Sequence, residues 1–248
     1  MSDNLAGISE FDVRLYDCGP DGKAGVRTLF NFMQSTADNH SKSLGTSLNL
    51  MADRNLTWVY ARFYAEIVSY PAMYETVRCE TWRSGVTDGM VNREFVMKDS
   101  SGGEILRATS SLALIDRSSR KPVEIPDFIR SQFDIERGRS LHYVIFPLDK
   151  PDKNDYIYTL MTRYEDIDIN GHMNNASYAQ MFFESGYSAI QDTAVLSSID
   201  ILFKGEILYN ETIKCGSTLI NGMHKCFFHT AYNENKGRVS ASAVTKWR

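Results

Sequence analysis

The sequence predicts an α+β protein built from two copies of one domain, each a long helix packed on an antiparallel sheet. Three observations carry this. Apolar residues alternate along several stretches, two other stretches switch to helical spacing, and the two halves repeat one another in order and residue class. The first helix is read from VRTLFNFMQSTADNHSKSLG, where Val26, Leu29, Phe30, Met33 and Ala37 recur at helical spacing and Gly45 offers a stop. Strands follow. Alternation in TWVYARFYAEI places Val59, Ala61, Phe63, Ala65 and Ile67 on one face, and EILRATSSLALID does the same for Leu106, Ala108, Ser110, Leu112 and Leu114. The second helix is read from NASYAQMFFESGYSAIQ, through Ala179, Phe182, Phe183, Gly186 and Ile190. ETVRC (75–79) matches ETIKC (211–215) class for class, and FMQS (32–35) pairs with FFES (182–185). The expected domains are residues 1–140 and 156–248. Residues 141–155 would link them, with Pro147, Pro151 and the polar run PDKND.

Composition narrows the function. The chain has 248 residues, 43% apolar and 23% charged, as in ordinary soluble domains. A net charge of −4 argues against general nucleic-acid binding, which wants a basic surface. Cys18, Cys79, Cys215 and Cys226 are scattered with no C-x-x-C pair, so they read as buried thiols in a reducing compartment, with no zinc site or disulfide framework. No apolar run approaches the roughly 20 residues that span a bilayer. The first residues show neither a signal peptide nor an Arg-rich transit character. The expected location is the cytoplasm, with no membrane anchor, and no cofactor or metal is called for.

The most informative stretch is YEDIDINGHMNNASY, residues 164–178. Asp166, Asp168, Asn170 and Gly171 have the spacing that opens an EF-hand loop, but the twelfth position is Ser177, which cannot be the bidentate closing ligand. The preceding YIYTLMTRY also reads as a strand where an EF-hand needs a helix. Asn170-Gly171 is a strong turn dipeptide, and Asn174 or Asn175 would cap the second helix. Asp168, Asn170 and His172 fall at alternate positions, which in extended backbone would place all three on one face. A helix N-terminus presents free N–H groups that can hold a carbonyl oxygen gaining charge. A histidine beside it can move protons near neutral pH. The combination suggests attack on an acyl group. No nucleophile elbow and no Gly-rich phosphate loop is present.

DINGHMNNASYAQMFFES closely resembles the D-x-N-x-H-x-N-N-x-x-Y signature of the acyl-ACP thioesterases, enzymes that release fatty acids from acyl carrier protein. Residues 29–45 and 57–85 are similar to the same family's first domain. The resemblance implies two tandem hot-dog domains, which agrees with the repeat. It also implies that Asp168, Asn170 and His172 are catalytic, with Glu206 as the catalytic glutamate in a strand of the second domain. Many members have Cys where this chain has Ile207, so water is the expected nucleophile here. Backbone N–H groups at the start of the second helix would hold the oxyanion.

The first half has only GKAG (22–25) where the second has His172, so it is expected to receive the acyl chain. Leu29, Met33, Trp58, Tyr60 and Phe63 could line that slot. Acyl carrier protein is the expected partner. Being acidic, it would dock on a locally basic surface, with Arg117, Arg120 and Lys121, or Arg130, Arg137 and Arg139, as candidates. A homodimer is compatible with the fold. Two other functions fit the resemblance less closely: an acyl-CoA thioesterase on the same fold, and a non-catalytic acyl sensor controlling transcription. The sensor would need an added DNA-binding element. A bacterial cytosolic enzyme is the simplest reading.

Overall fold

In the computed structural model, residues 5–143, 155–190, 194–220, 222–223 and 225–248 are described. Contacts divide the chain into two units, Met1–Tyr143 and Val144–Arg248. Of the expected linker, residues 144–154 lie outside the described residues.

The first unit begins with strand β1 (Ala6–Asp12), followed by a 3-10 turn (Leu15–Asp17) and helix α1 (Val26–Ser43). A short helix α2 (Leu48–Ala52) leads into strands β2 (Leu56–Ile67), β3 (Thr76–Thr87), β4 (Met90–Lys98) and β5 (Glu104–Asp116). A single helical turn, α3 (Asp127–Arg130), follows. The strands are antiparallel, in the order β1-β3-β4-β5-β2. Helix α1 lies against β1 and β3 and buries Val26, Leu29, Phe30, Met33 and Ala37. Full burial of such side chains is worth about 1.5–3 kcal/mol each for the larger ones. The approach is close at Gly7, where an added Cβ would come within 2.4 Å of His40 Cβ. Gly45, at φ +68°, closes the helix as expected.

The second unit repeats this order with β6 (Tyr156–Met161), a 3-10 turn (Tyr164–Asp166), helix α4 (Asn175–Ile190), β7 (Leu196–Phe203), β8 (Thr212–Leu219), β9 (Cys226–Asn233) and β10 (Arg238–Trp247). Its sheet runs β6-β8-β9-β10-β7, the order of the first unit element for element. The repeat extends to details. Arg14 and Arg163 each donate their main-chain N–H to an aspartate three residues on, Asp17 and Asp166. Each 3-10 turn leads into an isolated bridge, Cys18 to Ala24 and Ile167 to Met173, just ahead of its helix. This is a tandem hot-dog architecture.

One expectation fails along β2. Strict alternation assigns Val59 and Ala61 to the buried face with Phe63, yet Val59 is exposed. A β-bulge between Tyr60 and Arg62 inserts one residue and reverses the phase. Trp58 and Tyr60 therefore face the same way as Phe63, and the Tyr60 and Phe63 rings lie 5.6 Å apart. Strand β5 keeps its pattern, with Leu106, Ala108, Ser110, Leu112 and Leu114 all buried.

Candidate active site

The motif residues do not run along an extended strand. Gly171, at φ +80°, closes a tight turn that glycine adopts without strain. Its N–H donates to Asp168 O at 3.0 Å, and the Asp168 N–H donates to His172 O at 2.8 Å. The alternate spacing of Asp168, Asn170 and His172 therefore reflects a hairpin, so their common face is lost as an explanation. What replaces it is a set of specific contacts. Asp168 Oδ1 accepts the Asn170 N–H at 2.8 Å, and Oδ2 accepts Asn170 Nδ2 at 3.4 Å. Asp168 thus holds Asn170 by main chain and side chain, leaving the second amide N–H of Asn170 to point elsewhere.

On the other side of the turn, His172 Nε2 lies 3.1 Å from Glu206 Oε2. Both are partly exposed, His172 at 29% and Glu206 at 41% of the side chain. Glu206 is not in a strand. It follows β7, which ends at Phe203, in the connection to β8. Six interactions fix that connection. Met173 N–H donates to Ile207 O at 2.8 Å, tying the histidine turn directly to the glutamate segment. Tyr178 Oη donates to Gly205 O at 3.1 Å, and Lys236 Nζ donates to Glu206 O at 2.7 Å. The Glu211 carboxylate accepts the Leu208 N–H at 2.7 Å, Asn233 Nδ2 at 2.7 Å and Lys236 Nζ at 3.1 Å. Burial works to raise the Glu211 pKa, but these donors outweigh it and hold the carboxylate below its ordinary value. Burial pushes the Tyr178 phenol well up, so it stays a neutral donor.

Tyr178, Lys236 and Glu211 were not singled out from the sequence. Tyr178 occupies the tyrosine of the motif, and Glu211 opens one of the repeated strings, so two of the three carried a signal. Lys236 carried none.

The oxyanion expectation narrows. The Asn174 side chain caps α4, with Oδ1 accepting the Ala176 N–H at 2.8 Å. The N–H groups of Met173, Asn174, Ala176 and Ser177 are all engaged within the chain. The Asn175 N–H is the one at the helix start with no partner among the described residues.

The three buried cysteines cannot act here, and Cys18, in the first unit, donates its thiol to Arg14 O at 3.4 Å. Cys79, Cys215 and Cys226 are buried, and burial pushes the thiols of Cys79 and Cys215 up to about 12. Ile207 is fully buried.

The first unit shows the same scaffold without these groups. Ala24 N–H donates to Pro71 O at 2.9 Å, the counterpart of the Met173–Ile207 bond, and Glu75 accepts the Ala72 N–H at 2.9 Å as Glu211 accepts that of Leu208. Counting from the matched bridges, Gly19, Asp21 and Lys23 stand where the second unit has Asp168, Asn170 and His172. Tyr70 stands for Glu206.

Of the slot residues, Leu29, Met33 and Phe63 are fully buried, and Phe63 stacks among Phe30, Tyr60 and Phe95. Trp58 and Tyr60 are half-buried. Of the basic candidates, Arg137 pairs with Glu80 at 2.6 Å over the Trp82 ring, Arg139 lies 3.8 Å from the buried Glu94, and Arg130 donates to Ile125 O. Arg117, Arg120 and Lys121 lie on an exposed turn after β5.

Two repeated helix-on-sheet units, one with a His–carboxylate pair at the start of its helix, define a tandem hot-dog protein of the thioesterase type. Models of the N-terminal and C-terminal domains of acyl-ACP thioesterase match residues 7–133 and 149–248, and the chain belongs to that family. It is 30% identical to the chloroplastic dodecanoyl-acyl-carrier-protein hydrolase of Umbellularia californica, over 96% of this chain and 66% of that protein. The solved 12:0-ACP thioesterase from the same plant superposes with a TM-score of 0.81 at 27% identity, over 99% of this chain and 98% of that one. An acyl-ACP thioesterase from Bacteroides thetaiotaomicron shares the fold at 22% identity, with a TM-score of 0.80 over 99% and 98% of the two chains. The chain spans less than two thirds of the length of curated relatives it matches, from 53% to 66%. No helix among the described residues is long and apolar enough to cross a membrane.

Proposed function

We propose that this chain hydrolyses fatty acyl thioesters carried on acyl carrier protein, releasing free fatty acid in the cytosol of a bacterium. The observation that carries this reading is the 3.1 Å contact between His172 Nε2 and Glu206, held in register by the Met173–Ile207 main-chain bond. A carboxylate only accepts, so Nε2–H of neutral His172 donates its hydrogen bond to Glu206, which leaves the Nδ1 lone pair available.

In the proposed reaction, Nδ1 accepts a proton from water as the water oxygen bonds to the acyl carbon. The carbonyl becomes an oxyanion, facing the free amide N–H of Asn170 and the Asn175 main-chain N–H. The oxyanion then collapses, the C–S bond breaks, and the imidazolium returns its proton to the thiolate. Fatty acid and free thiol result. Glu206 orients the imidazole and stabilises its charged form, as Asp168 orients Asn170. General-base help is worth about 10²–10⁴-fold and an oxyanion donor about 10²–10³-fold. The family relationship supports the carrier, and the altered turn of the first unit supports a binding role for that unit. Trp58, Tyr60, Leu29, Met33 and Phe63 are the proposed acyl-facing residues.

The test is free-thiol release from a panel of acyl-ACPs beside matched acyl-CoAs. Hydrolysis of the ACP thioesters, with losses of about 100-fold or more in Asn170→Ala and His172→Ala, supports the reading. Activity on CoA alone would remove the carrier assignment. Binding of an acyl thioester without turnover would favour a sensor.

A further inference from the structure

Strand pair β3–β4 carries an unusual juxtaposition. Arg83 and Arg93 face each other directly across the two strands. Like charges at such positions repel. Both side chains are also buried, at 2% and 3% exposure, and Arg83 heads the largest fully buried side chains of the described residues. Buried guanidinium groups normally meet a carboxylate. Here every partner is neutral. Arg83 donates to Gln132 Oε1 and, at 2.8 Å, to Thr46 Oγ1. Arg93 contacts His40 Nδ1 and Thr81 Oγ1, both at 3.2 Å. The next residue, Glu94, supplies no compensation: its carboxylate is engaged by Ser84, Thr109 and Ser140.

The two guanidinium groups converge on one hydroxyl. Ser41 Oγ accepts Arg83 Nη2 at 3.4 Å and Arg93 Nη2 at 3.1 Å. With both lone pairs used, its proton remains to be given. Two further N–H donors in this neighbourhood have no partner among the described residues. Trp58, whose ring lies 5.6 Å from the Arg83 guanidinium, has a buried Nε1–H without an acceptor. His40 accepts from Arg93 at Nδ1, so its proton is on Nε2, which is also buried and unpartnered. Burial, and then the charge of Arg93, draws the Arg83 pKa down; burial does the same to Arg93. Guanidinium nevertheless stays charged at neutral pH.

A buried site with two cations, surplus donors and, among the described residues, no anion is incomplete. We infer that the interior of the first unit binds a small monovalent anion of chloride size between Arg83, Arg93 and the Ser41 hydroxyl. The size follows from the contacts: Arg83 Nη2 and Arg93 Nη2 both lie within 3.4 Å of Ser41 Oγ, so an ion shared by all three groups is compact and smaller than a phosphate. The bound ion would tie the end of α1 to β3 and β4. This inference is independent of the proposed thioester hydrolysis.

The test uses the full chain, dialysed into sodium gluconate and titrated with sodium chloride at fixed ionic strength. The thermal midpoint should rise saturably, by about 4 °C at tenfold above the chloride Kd. Chloride-35 NMR lines should broaden and sharpen again on competition with nitrate. In Arg83→Met and Arg93→Met both responses should vanish. In gluconate these variants should be no less stable than wild type, because one of two repelling charges is gone. Crystals of the wild type grown with bromide give a readout that needs no variant: an anomalous peak between the two arginines. A midpoint indifferent to chloride, variants that keep the full chloride response, or bromide found only elsewhere would overturn the inference.

Discussion

Glu211→Gln offers a test of positioning because the repeat supplies its own control. Glu211 is 8% exposed and its carboxylate gathers the Leu208 N–H, Asn233 and Lys236 around the segment that carries Glu206. Lys236 reaches onward to Glu206 O at 2.7 Å. Replacing the carboxylate by an amide keeps the volume but removes the charge and turns one acceptor toward its neighbours as a donor. Hydrogen bonds to charged groups are worth about 1.5–3 kcal/mol each, and shared bonds are not additive, so a loss of about 2–4 kcal/mol is expected. The Glu206 segment would loosen with it. A misplacement near 1 Å can cost about 10²-fold in rate, so kcat should fall about 10–100-fold with little change in KM. Glu75→Gln removes the charge from the matching bond to the Ala72 N–H in the first unit, where Tyr70 stands in place of the glutamate. That variant should lose some stability and keep kcat within about twofold, the small effect expected away from such a site. The assay is steady-state thiol release with parallel urea unfolding. Full kcat in Glu211→Gln, or an equal fall in Glu75→Gln, would refute the positioning argument.

Asn174→Ala removes the cap on the Ala176 N–H and should cost about 1 kcal/mol, read as a lowered urea midpoint. Gly186→Ala would place a Cβ 2.7 Å from Trp247 Cζ2. The overpacking cost of about 1–3 kcal/mol should exceed the helix-propensity gain of about 1 kcal/mol, giving a lower thermal midpoint and unchanged activity per folded molecule. Acid should destabilise the protein through several groups, Glu211, His229 and the similarly shifted His40 among them. Glu211 has a lowered folded pKa, so its contribution is complete above its unfolded value of 4.5 and is lost as pH falls through the folded value. Burial lowers His229 from 6.5 to about 3, so the unfolded chain takes up a proton in that window that the folded chain refuses. Stability should therefore fall by about 1.4 kcal/mol per pH unit from this histidine as pH drops below 6.5. Urea midpoints that stay flat from neutral pH down to 4.5 would contradict it.

Local patterning made much of the fold legible. Helix α1 and helix α4 follow from apolar spacing, and the paired strings ETVRC and ETIKC mark strands that do occupy equivalent places in the two sheets. The bulge in β2 was not legible, because it depends on register against β5 and not on any residue of its own stretch. The motif loop was half legible. Asn170-Gly171 signalled a turn, while the alternation of Asp168, Asn170 and His172 suggested an extended strand that the turn excludes. The His172–Glu206 contact joins segments distant in sequence, so only the family resemblance could propose it. Arg83 and Arg93 show the limit of compositional reasoning. Arginine is ordinarily a surface residue, and nothing in WRSGVTDGMVNREF (82–95) marks these two as interior.

The most direct measurement is a single turnover of acyl-ACP by excess enzyme in oxygen-18 water, with mass spectrometry of product and protein. If His172 and Glu206 drive water onto the acyl carbon, the first fatty acid released carries one oxygen-18 and no acylated peptide is trapped. An unlabelled first product, or an acyl group found on residue 206 or on a cysteine, would show a covalent route and contradict the proposed chemistry.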